Sequence, residues 1–446
     1  MKLWEQGHAT ASDVEHFTVG NDRHLDLELA PYDVLGSLAH VRMLEACGLL
    51  TASDAGMLRR ALRALMHSIE TGEFRIDDGV EDVHSQVEFA LTASCGEAGA
   101  RVHTARSRND QVLLDIKLYL RDRLRALVDE VTALAEALLD RAEEHRDVPL
   151  PGYTHLQVAM PSSFGLWFGA WAEALADDVM AVHAAYRLAD RNPLGSAAGY
   201  GSSFPIDRDM TTALLGFEDM HVNAVNAQLA RGKTERAAAE ALATVASTLG
   251  RFAMDVCLYT SGNFGFMELD RSFTTGSSIM PHKRNPDVFE LLRAKCNRVQ
   301  SVPHTITLIT ANLPSGYHRD MQILKDVLFP AFGDLLACVR IAREALAVLT
   351  VRGDILDDAR YRHLHTVDAV HALVARGTPF RTAYRMVASE IEANTYTPPA
   401  EIAHTHIGSI GNPGIERIRE RLRRECAAFP FDRRDAAFAA LLTDED

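Results

Sequence analysis

The longest regular pattern in the chain is a stripe of apolar residues in its second quarter. Aliphatic residues recur there every three or four positions, at Leu113, Ile116, Leu120, Leu124, Leu127, Val131, Leu134 and Leu138. This spacing is typical of one face of an α-helix. Ser107 followed by Asp110 predicts the start of that helix, and Pro149 and Pro151 predict its end. At about 1.5 Å per residue the helix is roughly 55 Å long, so other long helices must cover its apolar face.

Four further segments have the length and apolar content to provide that cover. They are the segments 161–191, 234–260, 286–312 and 321–351. The pattern therefore predicts five long helices between residues 106 and 351, and the signals for strands are sparse. Such helices have more apolar surface than one chain buries, which favours an oligomer.

The pattern changes on both sides of this central part. Shorter helices with turn-forming residues between them are predicted before residue 105 and after about residue 353. The sequence therefore predicts an all-α protein with three helical domains, at 1–105, 106–353 and 354–446.

Composition narrows the classes of partner and the compartment. The formal net charge of −15 argues against nucleic acid or an anionic membrane as the main partner. The six cysteines include no Cys-x-x-Cys pair, the N-terminus lacks the apolar core of a signal peptide, and no segment reads as a membrane span. These features predict a cytoplasmic protein.

Polar loops interrupt the helical pattern in four places. They lie at 81–111, 151–157, 274–286 and 313–326. Arg108 and Asn109 follow Ser107 at the start of the longest helix, where free N–H groups and the helix dipole favour an anion. Ser107 is equally well explained as a helix cap alone.

The loop "TTGSSIMPHKRNP", residues 274–286, is the hardest to explain by packing. Gly276 is predicted to give it conformational freedom, and Ser277 follows directly. A serine acts as a base only where donors or cations hold its oxyanion, and Lys283 and the loop amides can do so. Asn285 ends the loop, and Glu290 falls in the helix that Pro286 starts.

Metal and nucleotide sites have little support. The alternating pairs His363 and His365, and His404 and His406, lack further ligands at suitable spacing. The glycine-rich loops that bind nucleotides are absent. The sequence therefore predicts neither a metal site nor a nucleotide-binding loop.

Taken together, these loops resemble those of the fumarase/aspartase superfamily. The segment "GSSIMPHKRNP" resembles its signature, Gly-Ser-Ser-x-Met-Pro-x-Lys-x-Asn. The segments "RVHTARSRNDQV", "PGYTHLQ", "PLGSAAGYGSSFPIDR" and "GYHRDMQILKD" resemble the argininosuccinate lyase family within it. The resemblance covers nearly the whole chain, in order and in spacing.

The resemblance implies a fold, an assembly and a reaction. It implies a helical homotetramer whose central domains form a core of about 20 helices, with each active site built from three subunits. It also implies reversible cleavage of argininosuccinate to arginine and fumarate, the last step of arginine biosynthesis.

The resemblance also implies roles for individual residues. Ser277 is implied as the base that takes the Cβ proton. Lys283 and Asn285 are implied to stabilise the aci-carboxylate intermediate, and His155 with Glu290 to assist proton transfer. The implied substrate contacts are Asp22, His84, Ser107, Arg108, Asn109, Thr154, Arg231, Asn285, Tyr317, Gln322 and Lys325.

Some segments depart from the family pattern. The usual Trp-Gly-Gly-Arg-Phe motif is replaced by "LWEQGH" at 3–8, and Asp22 is matched to a family aspartate across a segment of altered length. Gly232 stands where the family has an acidic residue beside Arg231. The open alternatives are a sister enzyme such as adenylosuccinate lyase, and a non-catalytic helical scaffold.

Overall fold

A computed structural model describes residues 12–399 and 404–443, so the departure at 3–8 lies outside the described residues. The helices are α1 (Ser12–Val19), α2 (Asp22–Leu25), α3 (Ala30–Ala46), α4 (Ala52–Glu70), α5 (Val83–Cys95), α6 (Glu97–Ala100), α7 (Arg108–Glu144), α8 (Phe164–Ala189), α9 (Arg208–Leu214), α10 (Ala224–Leu229), α11 (Lys233–Tyr259), α12 (Asp287–Val299), α13 (Val302–Thr310), α14 (Leu324–Val348), α15 (Thr366–Ala375), α16 (Phe380–Glu392), α17 (Ile415–Ala427) and α18 (Phe431–Thr443). The protein is mostly helical, as the apolar pattern predicts.

Short 3₁₀ helices and strands connect these helices. The 3₁₀ helices are Asp26–Glu28, Arg101–His103, Arg271–Phe273, Arg319–Ile323, Ile355–Asp357 and Ala359–Tyr361. The strands form four two-stranded pairs: β1 (Pro149–Thr154) with β2 (Gln157–Ser163), β3 (Arg191–Asn192) with β4 (Asp219–Met220), β5 (Met267–Glu268) with β8 (Thr350–Val351), and β6 (Thr275–Gly276) with β7 (Arg284–Asn285). Only the β3–β4 pair is parallel.

The longest helix starts where the sequence predicts. The Ser107 hydroxyl and the Asp110 carboxylate cap the first turn of α7 reciprocally. Helix α7 packs on α8 and α14, α8 packs on α11, and α11 packs on α12. The predicted stripe lies in the resulting core, where Leu120, Leu124 and Leu127 are fully buried.

Two predicted helices differ from the observed ones. The segment from Pro286 to Asn312 forms two helices, α12 and α13, because the chain breaks regular helix at Gln300 and Ser301. The segment from Pro161 begins instead as strand β2, since residues 161–163 pair with 149–151, and helix α8 starts at Phe164.

The C-terminal part divides between two cores. Val370, Ala383 and Val387 form a small separate cluster between α15 and α16. Helices α17 and α18 return to the main core, where Leu422 and Leu441 are fully buried. The domain boundaries near 105 and 353 stay a prediction.

The length and apolar content of one segment were underestimated from the sequence. The stretch Ala224–Tyr259 has the length and composition to cross a membrane, contrary to the prediction that no segment does. Half of its apolar window is buried inside the protein. Ala238, Ala239 and Ala246 of this stretch are buried in the main core.

Candidate active site

One pocket of about 160 Å³ gathers residues from five distant parts of the chain. It lies where α7, α11 and the segment before α14 meet the N-terminal helices. Its walls include Asp22, Asp26, Asp82, His84, Arg108, Asn109, Val112, Arg231, Tyr317, Arg319, Gln322 and Lys325. Eight of the eleven predicted substrate contacts are among these residues, and Asn285 is not. Ser107 acts instead as the cap of α7, and Thr154 lies elsewhere.

Lys325 is held at the buried end of this pocket by two carboxylates. Its Nζ lies 2.8 Å from Asp22 Oδ1 and 2.5 Å from Asp26 Oδ1. Burial lowers the pKa of Lys325, but the charges of Asp26 and Asp22 outweigh it and the net direction is upward. Burial raises the pKa of Asp22 to about 6, against the lowering effect of Lys325. The cluster therefore carries more negative than positive charge when all three groups are ionised.

Arg108 is held at the pocket by the start of α5. Its guanidinium lies 3.2 Å from Glu81 Oε2 and also contacts Asp82. Asp82 caps α5 by accepting from the Ser85 N–H at 2.8 Å. Arg319 lies 2.6 Å from the other Glu81 oxygen. Glu81 and Asp82 therefore orient two cations, in addition to starting a helix.

Arg231 is positioned by the first turn of α11. Its Nε donates to Glu235 Oε1 at 2.9 Å, and its Nη2 donates to the Met321 carbonyl at 3.1 Å. The second Glu235 oxygen accepts from the Gly232 N–H at 2.7 Å. Gly232 has a φ of 77°, and a Cβ there would lie 2.6 Å from a methyl of Thr310. The departure at Gly232 thus has a backbone reason and leaves Arg231 in the pocket wall.

The remaining predicted contacts line the same pocket. Gln322 donates to the Thr18 carbonyl at 2.7 Å, Asn109 donates to the Ala198 carbonyl at 3.5 Å, and Tyr317 is 37% exposed. His84 is buried with its Nδ1 2.6 Å from Asp33 Oδ2. The pocket therefore offers both signs of charge and neutral donors, which suits a ligand that carries cations and carboxylates.

The signature loop forms a hairpin outside this pocket. Thr275 pairs with Asn285 and Gly276 with Arg284. The Ser277 Oγ accepts from the N–H groups of Met280 at 3.1 Å and Ile279 at 3.4 Å. These two donors would stabilise a deprotonated Ser277.

The rest of this loop differs partly from expectation. Gly276 has an ordinary strand conformation and is not among the glycines with positive φ, and its conformational freedom stays a prediction. The Lys283 side chain is exposed, and Asn285 donates to the Thr275 hydroxyl at 3.4 Å. Glu290 is exposed on the first turn of α12.

His155 lies at the tip of the β1–β2 hairpin. His155 and Leu156 both have positive φ, 54° and 57°. A two-residue hairpin turn of this type needs positive φ at both positions, which glycine and asparagine usually supply. His155 in the turn and Thr154 directly before it are both exposed. Side chains in such a costly turn are displayed at a fixed position, which is common at functional sites.

These two loops do not join the pocket within one chain. Ser277, Lys283, Asn285, Glu290, Thr154 and His155 are all absent from its walls. Among the described residues, no hydrogen bond or ion pair joins His155 to Glu290.

Sequence reasoning missed four pocket residues, namely Val112 and the charged residues Asp26, Asp82 and Arg319. Asp26 lies one helical turn after Asp22, and that spacing of four was the available signal. The sequence motifs assigned no substrate contact to Asp82 or Arg319. Their place in the pocket depends on contacts with distant residues, which spacing does not reveal.

Comparisons with known proteins identify the family of this chain. The family profile described as "Lyase" matches residues 6–301. Argininosuccinate lyase of Phocaeicola vulgatus is 52% identical over 441 residues, which cover 99% of each chain. Argininosuccinate lyase of Parabacteroides distasonis has the same identity and coverage. A solved structure of an EDDS lyase variant with bound fumarate has a TM-score of 0.76 at 23% identity, covering 98% of this chain and 94% of its own.

The profile match spans about two thirds of the chain, and the close relatives span nearly all of it. The chain therefore belongs to the lyases of the fumarase/aspartase superfamily and, within them, to the argininosuccinate lyase family. The fold resemblance predicted from the signature and its companion segments is confirmed.

Proposed function

We propose that this protein cleaves argininosuccinate to arginine and fumarate by reversible β-elimination. The observation that carries the proposal is the convergence of eight residues implied by the family resemblance, from five separate chain segments, on one pocket. The substrate has a guanidinium, an ammonium and three carboxylates. The mixed charges of Asp22, Arg108, Arg231 and Lys325 match that pattern better than a site of one sign.

The elimination needs a base and a means of holding negative charge. Ser277 takes the proton from Cβ, and the N–H groups of Ile279 and Met280 hold its oxyanion. Proton removal beside a carboxylate places a second negative charge on that carboxylate. Lys283 and Asn285 lie on the same hairpin and stabilise it. His155, with Glu290, assists proton transfer at the leaving guanidino nitrogen.

The complete site requires neighbouring copies of the chain. The Ser277 hairpin and the His155 turn are exposed and lie outside the pocket of their own chain. Helices α11 to α13 expose apolar side chains, with Met254 at 41%, Leu291 at 64% and Leu308 at 63%. We propose that a homotetramer covers these faces and brings the two loops of other copies to the pocket. The acidic chain is proposed to act in the cytoplasm, with no nucleic acid, membrane or cofactor as partner.

Activity is tested by adding argininosuccinate and following the ultraviolet absorbance of fumarate. Turnover is expected with argininosuccinate and not with adenylosuccinate, and the reverse result would overturn the proposal. Ser277→Ala is expected to lower kcat by orders of magnitude while the oligomer stays intact, and Ser278→Ala is the matched control. A wild-type rate for Ser277→Ala would exclude it as the base.

Site sharing is tested by mixing two inactive variants, Ser277→Ala and Arg108→Ala, after reversible dissociation of the oligomer. If the two residues of one site come from different copies, about a quarter of the native activity returns on reassociation. If both come from one chain, the mixture stays inactive.

A further inference from the structure

Beneath the pocket lies a buried cluster of three titratable side chains. Asp33 of α3, His84 of α5 and Asp115 of α7 meet there, with side-chain exposures of 0%, 7% and 0%. The His84 Nδ1 lies 2.6 Å from Asp33 Oδ2 and 3.5 Å from Asp115 Oδ2. Gln111 donates to the same Asp33 oxygen at 3.1 Å. Only His84 also lines the pocket.

The cluster contains more acceptors than donors. Asp33 Oδ1 and both Asp115 oxygens are fully buried and have no hydrogen-bond partner among the described residues. Two buried carboxylates side by side strongly resist double ionisation, because each raises the cost of charging the other. A proton on one of them removes one charge and supplies the missing donor.

The surroundings indicate which carboxyl group keeps that proton. Burial and the charge of Asp33 raise the pKa of Asp115 well above its usual range. Burial also acts on Asp33, but its hydrogen bond to His84 and the charge of Arg106 lower its pKa overall. Burial alone lowers the pKa of His84, but the hydrogen bond and charge of Asp33, with Asp82, raise it.

A metal ion among these three groups fits the distances less well. Ligands at about 2.1 Å from one tetrahedral ion are roughly 3.3 Å apart. The 2.6 Å between His84 and Asp33 is shorter and is an ordinary length for a charge-assisted hydrogen bond. The arrangement is therefore that of a proton-bearing network.

We propose that Asp33 and Asp115 are positioning residues that keep His84 as an imidazolium whose Nε2–H faces a substrate carboxylate in the pocket. Asp115 stays protonated and donates its hydrogen bond to Asp33, and the Asp33 anion accepts from His84 Nδ1. His84 Nε2 has no hydrogen-bond partner among the described residues, so it is available to a ligand. The inference rests on the proposed function only in naming the ligand group as a carboxylate.

The charged groups around the cluster either favour a positive His84 and a negative Asp33, or oppose these charges only weakly. Asp82 and Glu88 lie on α5 itself, and Asp26 lies on the 3₁₀ helix after α2. Arg106 precedes α7 and favours the Asp33 anion. His103 lies close enough to disfavour further positive charge when it is itself protonated, but burial lowers its pKa to about 4.

Asparagine substitutions at Asp115 and Asp33 distinguish the proposed proton-bearing network from a purely structural role of the two aspartates. Asparagine imitates a protonated aspartic acid, because its amide can donate where the acid O–H donated. Asp115→Asn is therefore expected to keep kcat/KM within about threefold of the wild type. Asp33→Asn removes the anion, and kcat/KM at pH 8 is expected to fall by about tenfold or more. Equal losses in both variants, or a greater loss in Asp115→Asn, would overturn the proposal.

The pH profile gives a readout that a loss of packing does not change. A raised His84 pKa keeps the imidazolium, and thus activity, up to higher pH. In Asp33→Asn the alkaline fall in kcat/KM is expected to move at least about one pH unit lower, with recovery toward pH 6. A uniform loss at all pH values would show that Asp33 is only structural.

Direct titration tests the network without reliance on turnover or on the folding of the variants. The His84 ring signal in ¹³C-histidine-labelled wild type is assigned by its disappearance in His84→Gln. Its midpoint is expected above the ordinary histidine value, and a midpoint below that value would refute the inference even in an inactive protein. Loss of activity on treatment with a chelator, restored by a divalent cation, would equally refute it in favour of a metal site.

Discussion

Asp22 lies in a cluster where two carboxylates share one lysine, and this has a consequence for stability. Asp22 is 6% exposed, and burial raises its pKa from 3.8 to about 6. An acid whose pKa is higher in the folded state than in the unfolded state lowers the free energy of unfolding once it ionises. For Asp22 this loss begins at about pH 4, grows up to about pH 6 and is complete above that pH. At 1.36 kcal/mol per pKa unit the penalty is about 3 kcal/mol at pH 7.

Asp22→Asn is therefore expected to stabilise the protein at pH 7 and to impair it as an enzyme. Lys325 keeps its contact with Asp26 at 2.5 Å, so it is not left unpaired. With an unfolding entropy of about 2.1 cal/mol/K per residue, a gain of 3 kcal/mol raises Tm by about 3 °C. The loss of a charged contact is expected to lower kcat/KM by about tenfold or more.

The assay is calorimetric unfolding of the wild type and the variant between pH 4 and pH 8. The difference in Tm is expected to be near zero at pH 4, to grow toward pH 6 and to stay constant above. Asp178→Asn is the matched control, since burial raises the pKa of Asp178 to about 7 and it lies on α8 away from the pocket. It is expected to be stabilising with unchanged kcat/KM. A Tm of Asp22→Asn equal to or below the wild type at pH 7 would refute the reasoning.

Two further substitutions test the frame of the site. Glu235→Gln leaves Arg231 buried without its anion and is expected to lower the free energy of unfolding by about 3–5 kcal/mol, measured by denaturant unfolding. Glu240→Gln breaks only the exposed pair with Arg236 and is expected to cost under about 1 kcal/mol. Equal costs would contradict the argument from burial of the pair. Leu156→Gly relieves a positive φ and is expected to stabilise the protein by about 1 kcal/mol, a gain that Leu156→Ala, which keeps the strain, is not expected to show.

The helices were the most predictable part of the protein. The apolar period of 3–4 and the Ser107–Asp110 cap predicted α7 with its start correct, since both signals are local. The break at Gln300 and Ser301 was missed, because an apolar pattern can continue through a change of helix direction. The start at Pro161 was wrong because β2 forms only by pairing with β1, which lies earlier in the chain.

The candidate site was also only partly predictable from the sequence. The residue types at Arg108, Tyr317, Gln322 and Lys325 follow from motifs in the sequence, and the structure brings them to one pocket. Their pairing partners did not follow, because Asp26 reaches Lys325 across 299 positions and Glu81 reaches Arg319 across 238. Such contacts depend on how whole helices pack.

By itself the sequence determined the helical class and the family, because these depend on local periodicity and on short motifs. Only the tertiary structure decided which charges neutralise one another. It placed Asp33, His84 and Asp115 together from three helices in a fully buried space beneath the pocket. Burial sets the charge of such groups, and burial is a property of the packed molecule.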